Sequence, residues 1–189
     1  MLLKFNEKEV LRYLGYRGVP ADERTVSVID EVYQELLKVV QPKYIYREYD
    51  FDRSDGGITV ENIEFKSEKL LSHLKNSSSV VLFGATLGTE TDTLIRRYSV
   101  SDTAHAAVAQ AVAASLTENL CDRACEEIKQ ILGGTHRPRF SPGYGDLELS
   151  TQRDFFKLLD MSRRLGVTLS DECIMTPTKS VTAFIGIIK

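Results

Sequence analysis

Hydrophobic residues recur at helical spacing in two long stretches of the chain. After Asp22, apolar side chains follow one another at steps of three and four residues until Pro42: Val26, Ile29, Val32, Tyr33, Leu36, Leu37 and Val40. This period predicts a helix, and a capping pair at Asn6 and Glu9 predicts a shorter helix before it. An Ala-rich stretch, residues 102–132, predicts the longest helix, which a glycine pair ends.

Apolar runs rich in β-branched and aromatic residues predict the strands. Residues 44–51 and 58–65 have the pattern of partner strands joined by a Ser-Asp-Gly-Gly turn. Residues 80–83 form a continuous apolar run, which is typical of a buried strand, and residues 179–188 alternate loosely. Shorter helices are expected over residues 67–74, 90–97 and 150–165.

These elements predict an α+β fold with a central twisted, mainly antiparallel sheet and segregated helices, including the long Ala-rich helix. Residues 1–42 are expected to form an N-terminal helical extension, and residues 43–189 an α+β domain. A chain of 189 residues suits one domain, so we expect the extension and the domain to form one compact unit.

Composition and charge narrow the classes of function. Hydrophobic residues make up 42% and charged residues 27% of the chain, as in ordinary globular proteins. The net charge of −3 argues against a nucleic-acid partner. No run of 18 apolar residues is present and the first residues lack a signal-peptide pattern, so we expect no membrane association and a cytoplasmic location. Three cysteines fit reduced thiols better than a disulfide framework.

The strongest candidate for a binding site is the loop at residues 139–146, which is called the site loop below. Arg139 offers a planar fork of donors that suits a carboxylate, and Tyr144 offers a flat face and a hydroxyl. Pro142 fixes one backbone angle, while Gly143 allows another group to approach the backbone closely. The loop therefore suits a small, partly aromatic molecule that carries a carboxylate. A surface turn whose Arg pairs with a nearby Asp is the alternative.

Other motifs carry less chemistry. Residues 84–90 lie between a predicted strand and a predicted helix but lack the G-x-G-x-x-G spacing, so they indicate a tight turn rather than a nucleotide site. Cys121 and Cys125 lie four residues apart on one helix face, and we expect buried thiols there rather than a metal site. The three histidines are scattered, so no metal site and no catalytic cluster are predicted.

Over about residues 80–188 the chain resembles the activation domain of cobalamin-dependent methionine synthase. The Arg-x-x-x-Gly-Tyr element of the site loop is similar to the family element that binds S-adenosylmethionine. Other stretches are similar in kind and occur in the family's order, which makes the set more specific than any single motif. They are Leu82-Phe83-Gly84-Ala85-Thr86-Leu87-Gly88, Gly166-Val167-Thr168-Leu169-Ser170-Asp171 and Met175-Thr176-Pro177-Thr178-Lys179-Ser180-Val181-Thr182.

The resemblance implies roles for five residues of the site loop. Arg139 would hold the methionyl carboxylate of S-adenosylmethionine. Gly143 and Tyr144 would shape the nucleotide site, with Tyr144 also facing the cobalamin. Ser141 and Pro142 would supply loop backbone. After the Gly-Tyr pair, the family has a Pro and a His-containing helix start that this sequence lacks, so contacts to the corrin ring are expected to differ.

The resemblance also implies a function and its partners. As a free-standing activation subunit, the chain would support the reductive methylation of cob(II)alamin to methylcobalamin, without an independent catalytic cluster. The cobalamin would be presented by a corrinoid-carrying methionine synthase that lacks its own activation domain, and a flavoprotein would donate the electron. The alternative is a module that binds S-adenosylmethionine for sensing, or for interaction with another corrinoid protein.

Overall fold

The computed structural model describes residues 3–16 and 18–189. Its α-helices, in chain order, are α1 (Glu7–Tyr13), α2 (Glu23–Val39), α3 (Glu68–His73), α4 (Thr89–Ser101), α5 (Thr103–Leu132), α6 (Gln152–Leu159) and α7 (Met161–Leu165). Its strands are β1 (Lys43–Tyr49), β2 (Asp52–Ser54), β3 (Gly57–Val60), β4 (Ile63–Lys66), β5 (Ser79–Thr86), β6 (Thr135–His136), β7 (Thr168–Leu169), β8 (Met175–Thr176) and β9 (Ser180–Ile188). The predicted α+β class and the long Ala-rich helix, α5, are confirmed.

Side-chain caps fix the starts of the N-terminal helices. The Asn6 side chain accepts a hydrogen bond from the Glu9 amide at the start of α1, and Asp22 accepts one from the Thr25 amide (2.8 Å) at the start of α2. Such caps satisfy amides that have no partner inside the helix. Helices α1 and α2 both pack against α5. The division between an extension and a domain at residue 42 stays a prediction.

The central sheet has the strand order β1-β5-β9-β6, and each neighbouring pair is antiparallel. Strand β5 lies in the interior of this sheet, and all eight of its residues are buried. The prediction that residues 44–51 pair with residues 58–65 is wrong. Strand β1 pairs with β5, with Tyr49 opposite Val80. The second stretch is divided by a turn at Glu61, whose φ is 55°, into the short strands β3 and β4 of a separate small sheet.

Two hydrophobic cores cover the two faces of the central sheet. One core joins β5 and β9 to α1, α2, α4 and α5, with Phe83 and Leu116 fully buried. The other joins the opposite face to α3, α6, α7 and the small sheet, with Leu82 and Phe184 fully buried. Burying each such side chain contributes about 1.5–3 kcal/mol. The two cores hold the sheet edges in fixed positions relative to α3 and α5.

The helix predicted over residues 150–165 is interrupted. A 3₁₀ turn at Leu149–Thr151 precedes α6, and Asp160 separates α6 from α7 in a left-handed conformation (φ 52°). The break lets the two helices reach different parts of the sheet. The ring of Phe155 in α6 packs on Phe184 in β9 with the ring centroids 4.7 Å apart, and Met161 of α7 lies against Gly84 in β5.

The segment that leads into the site loop continues along the free edge of β9. Strand β6 pairs with the end of β9, the Arg137 amide donates to the Gly186 carbonyl (2.8 Å), and Phe140 pairs with Phe184. The Phe140 amide and the Phe184 carbonyl are 2.9 Å apart, with the reciprocal bond at 2.8 Å. The site loop therefore starts from the central sheet itself, beside the C-terminal half of α5.

Candidate functional site

A cleft of about 840 Å³ opens between α5 and the segment of residues 136–144. One wall is formed by successive turns of α5, and the other wall by the end of β6 and the first part of the site loop. His73 of α3 and Val181 of β9 complete the lining. The volume lies within the range of about 300–1,000 Å³ that is typical of small-molecule sites.

The structure places three of the five residues predicted for the site on the cleft surface. Arg139, Ser141 and Tyr144 line the cleft, and Tyr144 leaves 72% of its surface exposed. Pro142 is buried behind them, and Gly143 lies at the turn itself. Three of the predicted residues thus lie together on one wall of the cleft, and one of them carries an exposed aromatic ring.

Local hydrogen bonds give the site loop its shape. The Gly143 amide donates to the Leu147 carbonyl (2.8 Å), and the Tyr144 amide donates to the Ser141 carbonyl (3.1 Å). Gly143 has a φ of +85°, in the region that side chains disfavour, and a Cβ there would lie 3.3 Å from the Leu149 side chain. A glycine at this position therefore lets the chain reverse direction and present Tyr144 to solvent.

Arg139 forms ion pairs with two carboxylates of α5. Its Nη2 lies 2.6 Å from Glu118 Oε2, and its Nη1 lies 2.8 Å from Asp122 Oδ1. Nη1 also lies 3.8 Å from the sulfur of Cys125. Burial lowers the pKa of Arg139, but Cys121, the hydrogen bond to Asp122 and the contact with Cys125 raise it overall, so the guanidinium stays protonated. These contacts use three of its five N–H donors, which leaves donors for a further acceptor.

Sequence reasoning missed Glu118 and Asp122 as members of the site. They lie four residues apart, and therefore on the same face of α5, with Glu126 one turn further along the cleft. That acidic stripe on an Ala-rich helix was the signal that could have found them. A guanidinium between two carboxylates complements a zwitterion, whose carboxylate would bind the cation and whose ammonium would bind the anions. The pairing with Asp122 is also what the surface-turn alternative predicts.

The thiols beside the cleft are poor nucleophiles. Burial raises the pKa of Cys121 to about 12. Burial also raises the pKa of Cys125, although its contact with Arg139 works in the opposite direction. A thiol reacts through its thiolate, so neither group supplies a reactive sulfur at neutral pH.

Two features are absent from the part of the chain that the structure describes. Within residues 3–16 and 18–189, no group of three or more His, Cys, Asp or Glu side chains is arranged to hold a metal ion. Over the same part of the chain, no helix combines the length and the apolar character needed to cross a membrane.

One family model matches more than half of this chain. The model of the family described as vitamin B12 dependent methionine synthase, activation domain, matches residues 70–187, which include α5, the site loop and nearly all of β9. The crystal structure of the MetH reactivation domain bound to AdoHcy superimposes with a TM-score of 0.71 at 15% identity. The match covers 88% of this chain and 65% of that one, and at this identity it shows a shared fold. No curated protein matches the sequence.

Proposed function

This chain belongs to the family of vitamin B12 dependent methionine synthase activation domains, and from that premise we propose that it binds S-adenosylmethionine in the cleft beside Arg139. The observation that carries the proposal is the charge pattern of the cleft, where Arg139 lies between Glu118 and Asp122. The structural relative is bound to AdoHcy, and this supports the choice of ligand class.

The residues present fit the chemistry of this ligand. Its methionyl end carries a carboxylate and an ammonium, which match the Arg139 guanidinium and the carboxylates of Glu118 and Asp122. Its sulfonium is a further cation, which the acidic stripe along α5 favours. The exposed ring of Tyr144 offers a face on which an adenine can stack, as bases do on aromatic side chains.

Each residue of the site loop then has a positioning task. Arg139 would hold the methionyl carboxylate, and Gly143 and Tyr144 would shape the nucleotide site. Ser141 and Pro142 would supply the backbone between them, with Ser141 on the cleft surface and Pro142 buried. Because the cleft opens beside Tyr144, the methyl-bearing sulfur could face a partner that docks there.

The activity we propose is support of the reductive methylation of cobalamin on a corrinoid-carrying methionine synthase. When bound, S-adenosylmethionine would supply the methyl group from its sulfonium and be left as S-adenosylhomocysteine, and an external donor, proposed to be a flavoprotein, would supply the one electron that the cob(II) state requires. The protein contributes orientation and requires no acid or base for this step. Its residues bind the amino-acid end, fix the direction of the sulfur and keep the ligand at the cleft mouth.

Calorimetric titration with S-adenosylhomocysteine tests the binding proposal. We expect Arg139→Ala to weaken binding by about 2 kcal/mol, roughly thirtyfold, because a charge-assisted pair with the ligand carboxylate is lost. Arg163→Ala is the matched control, since Arg163 forms an exposed ion pair with Asp160 outside the cleft. Equal affinities of the wild type and Arg139→Ala would refute the assignment.

A second assay separates the proposed activity from the alternative. A cob(II)alamin-loaded methionine synthase without its own activation domain is mixed with the protein, a one-electron reductant and S-adenosylmethionine. The appearance of the methylcobalamin absorbance spectrum supports the proposed activity. Ligand binding without methylcobalamin formation contradicts it and favours the sensing or interaction module.

A further inference from the structure

The site loop is attached to α3 by a carboxylate that does not line the cleft. Asp146, at the end of the loop, accepts a hydrogen bond from the Ser67 hydroxyl and another from the Glu68 amide (2.9 Å). The Lys69 amide lies 3.3 Å from both of its oxygens. These donors precede Asp146 by 77 to 79 residues in the sequence, so the contact joins two distant parts of the chain.

The other end of α3 contacts the segment that leads into the loop. The His73 ring nitrogen Nε2 lies 2.8 Å from the Pro138 carbonyl, and the His73 ring lies beside Phe140 with centroids 5.2 Å apart. The Arg137 guanidinium donates to the Lys75 carbonyl (2.8 Å), just beyond the helix. Helix α3 and the residues beside it therefore contact both ends of the loop, while Arg139 at the start of the loop reaches α5.

The Asp146 carboxylate receives more hydrogen bonds than any single group at the His73 end. Three donors converge on one carboxylate, and the hydrogen bond from Ser67 is the largest cause that lowers the pKa of Asp146, so the group is ionised at neutral pH. Charge-assisted hydrogen bonds of this type are stronger than bonds between neutral groups.

An ordered loop loses less conformational entropy when it takes up a ligand than a loop that must first be ordered.

We infer that Asp146 is a positioning residue, which holds residues 139–145 in the conformation that presents Arg139 and Tyr144 to the cleft. The inference rests on the proposed function, because it assigns the ordered loop a role in ligand affinity. It also makes a claim that stands apart from the ligand: without the Asp146 contacts, the loop amides exchange with solvent more readily. Ser67, Glu68 and Lys69 precede the residues matched by the family model, so the family match alone does not identify this contact.

The test compares Asp146→Asn with Asp22→Asn. The amide has almost the same shape as the carboxylate, but it loses the charge and turns an NH₂ group toward backbone donors. Asp22 is a matched control because its carboxylate also receives an amide and a hydroxyl hydrogen bond at a helix start, and it does not line the cleft. Both variants are measured by S-adenosylhomocysteine titration, by hydrogen exchange of the site-loop amides and by thermal unfolding.

We expect Asp146→Asn to bind about tenfold more weakly, a loss comparable with removal of a helix cap, and to exchange faster at the Gly143 and Tyr144 amides. Asp22→Asn should show neither effect, because asparagine caps a helix about as well as aspartate. Asp146→Glu, which keeps a charged acceptor, should recover most of the affinity and serves as the second variant should Asp146→Asn not fold.

The outcomes separate the two proposals. Unchanged loop exchange in Asp146→Asn overturns the positioning role whether or not the ligand binds. Faster exchange with unchanged affinity also overturns it, because the ordered loop would then contribute nothing to binding. Failure of the wild type to bind S-adenosylhomocysteine refutes the proposed function instead, and the exchange experiment still decides whether Asp146 orders the loop.

Discussion

The substitution Glu118→Gln gives opposite results under the two possible roles of the acidic residues beside Arg139. If Glu118 binds the ligand ammonium, its loss weakens binding. If Glu118 only occupies Arg139 and competes with the ligand carboxylate, its loss strengthens binding. The direction of the change therefore tests the role, and the proposed function predicts weaker binding.

The expected loss of binding free energy follows from the distance between the two charges and from the exposed fraction of the Glu118 side chain. Two unit charges 4 Å apart interact by about 1 kcal/mol in water and about 4 kcal/mol at an effective dielectric constant of 20. The Glu118 side chain is 45% exposed, which places the pair near the weaker limit. We therefore expect a loss of about 1 kcal/mol, roughly fivefold in the dissociation constant. Asp122 is 70% exposed, so Asp122→Asn should cost less.

The assay is calorimetric titration with both S-adenosylmethionine and S-adenosylhomocysteine. Both ligands carry the ammonium, and only the first carries the sulfonium. If Glu118 contacts the ammonium, its replacement should therefore weaken the binding of both ligands equally. Glu64→Gln is the control, because Glu64 is 47% exposed and forms an ion pair with Lys66 away from the cleft. Tighter binding by Glu118→Gln than by the wild type would refute the ammonium role.

Three further changes test other parts of the account. Tyr144→Ala should weaken S-adenosylhomocysteine binding by about 1 kcal/mol while the midpoint of urea unfolding stays the same, since the ring is mostly exposed; an unchanged affinity would exclude stacking. Alkylation, followed by mass spectrometry, should show slow modification of Cys125 and slower modification of Cys121, and both rates should rise with pH because burial raises both pKa values. Saturating S-adenosylhomocysteine should protect Cys125, and labelling that the ligand does not slow would place the ligand elsewhere. Gly186→Ala should destabilise the fold by about 1–3 kcal/mol in urea unfolding, because a Cβ there would clash with the Ser77 hydroxyl and lie 2.8 Å from Leu74 Cδ2; wild-type stability would contradict the close packing.

Sequence patterns predicted the elements that a local run of residues specifies. Helix α2 follows from its apolar stripe and its Asp22 cap, and α5 follows from its alanines and closing glycines. The buried strands β5 and β9 follow from apolar runs. The family assignment followed from the ordered motifs, and the family match confirms it. The roles of the individual loop residues stay predictions.

Features that depend on distant contacts could not be predicted from local patterns. Strand β1 pairs with β5 rather than with its neighbour in sequence. Only the full fold shows that β5 has a pairing partner on each side, β1 and β9. The break at Asp160 depends on where Phe155 and Met161 pack on the sheet. The carboxylates opposite Arg139 belong to α5, and the chain leaves α5 and passes through β6 before the site loop begins. The proximity of these carboxylates to Arg139 is therefore a property of the tertiary structure.

Helix α5 contributes to the core and to the cleft through the same few turns. Leu116 and Leu120 are buried against the sheet, while Glu118 and Asp122 lie on the adjacent side and reach Arg139. One inserted residue between them would rotate everything beyond it by about 100°. Such an insertion would expose leucines and remove the acidic wall at once, so it would destabilise the fold as well as alter the cleft. Exchanging side chains on the cleft face of this helix can therefore retune the cleft without disturbing the core, whereas inserting a single residue cannot.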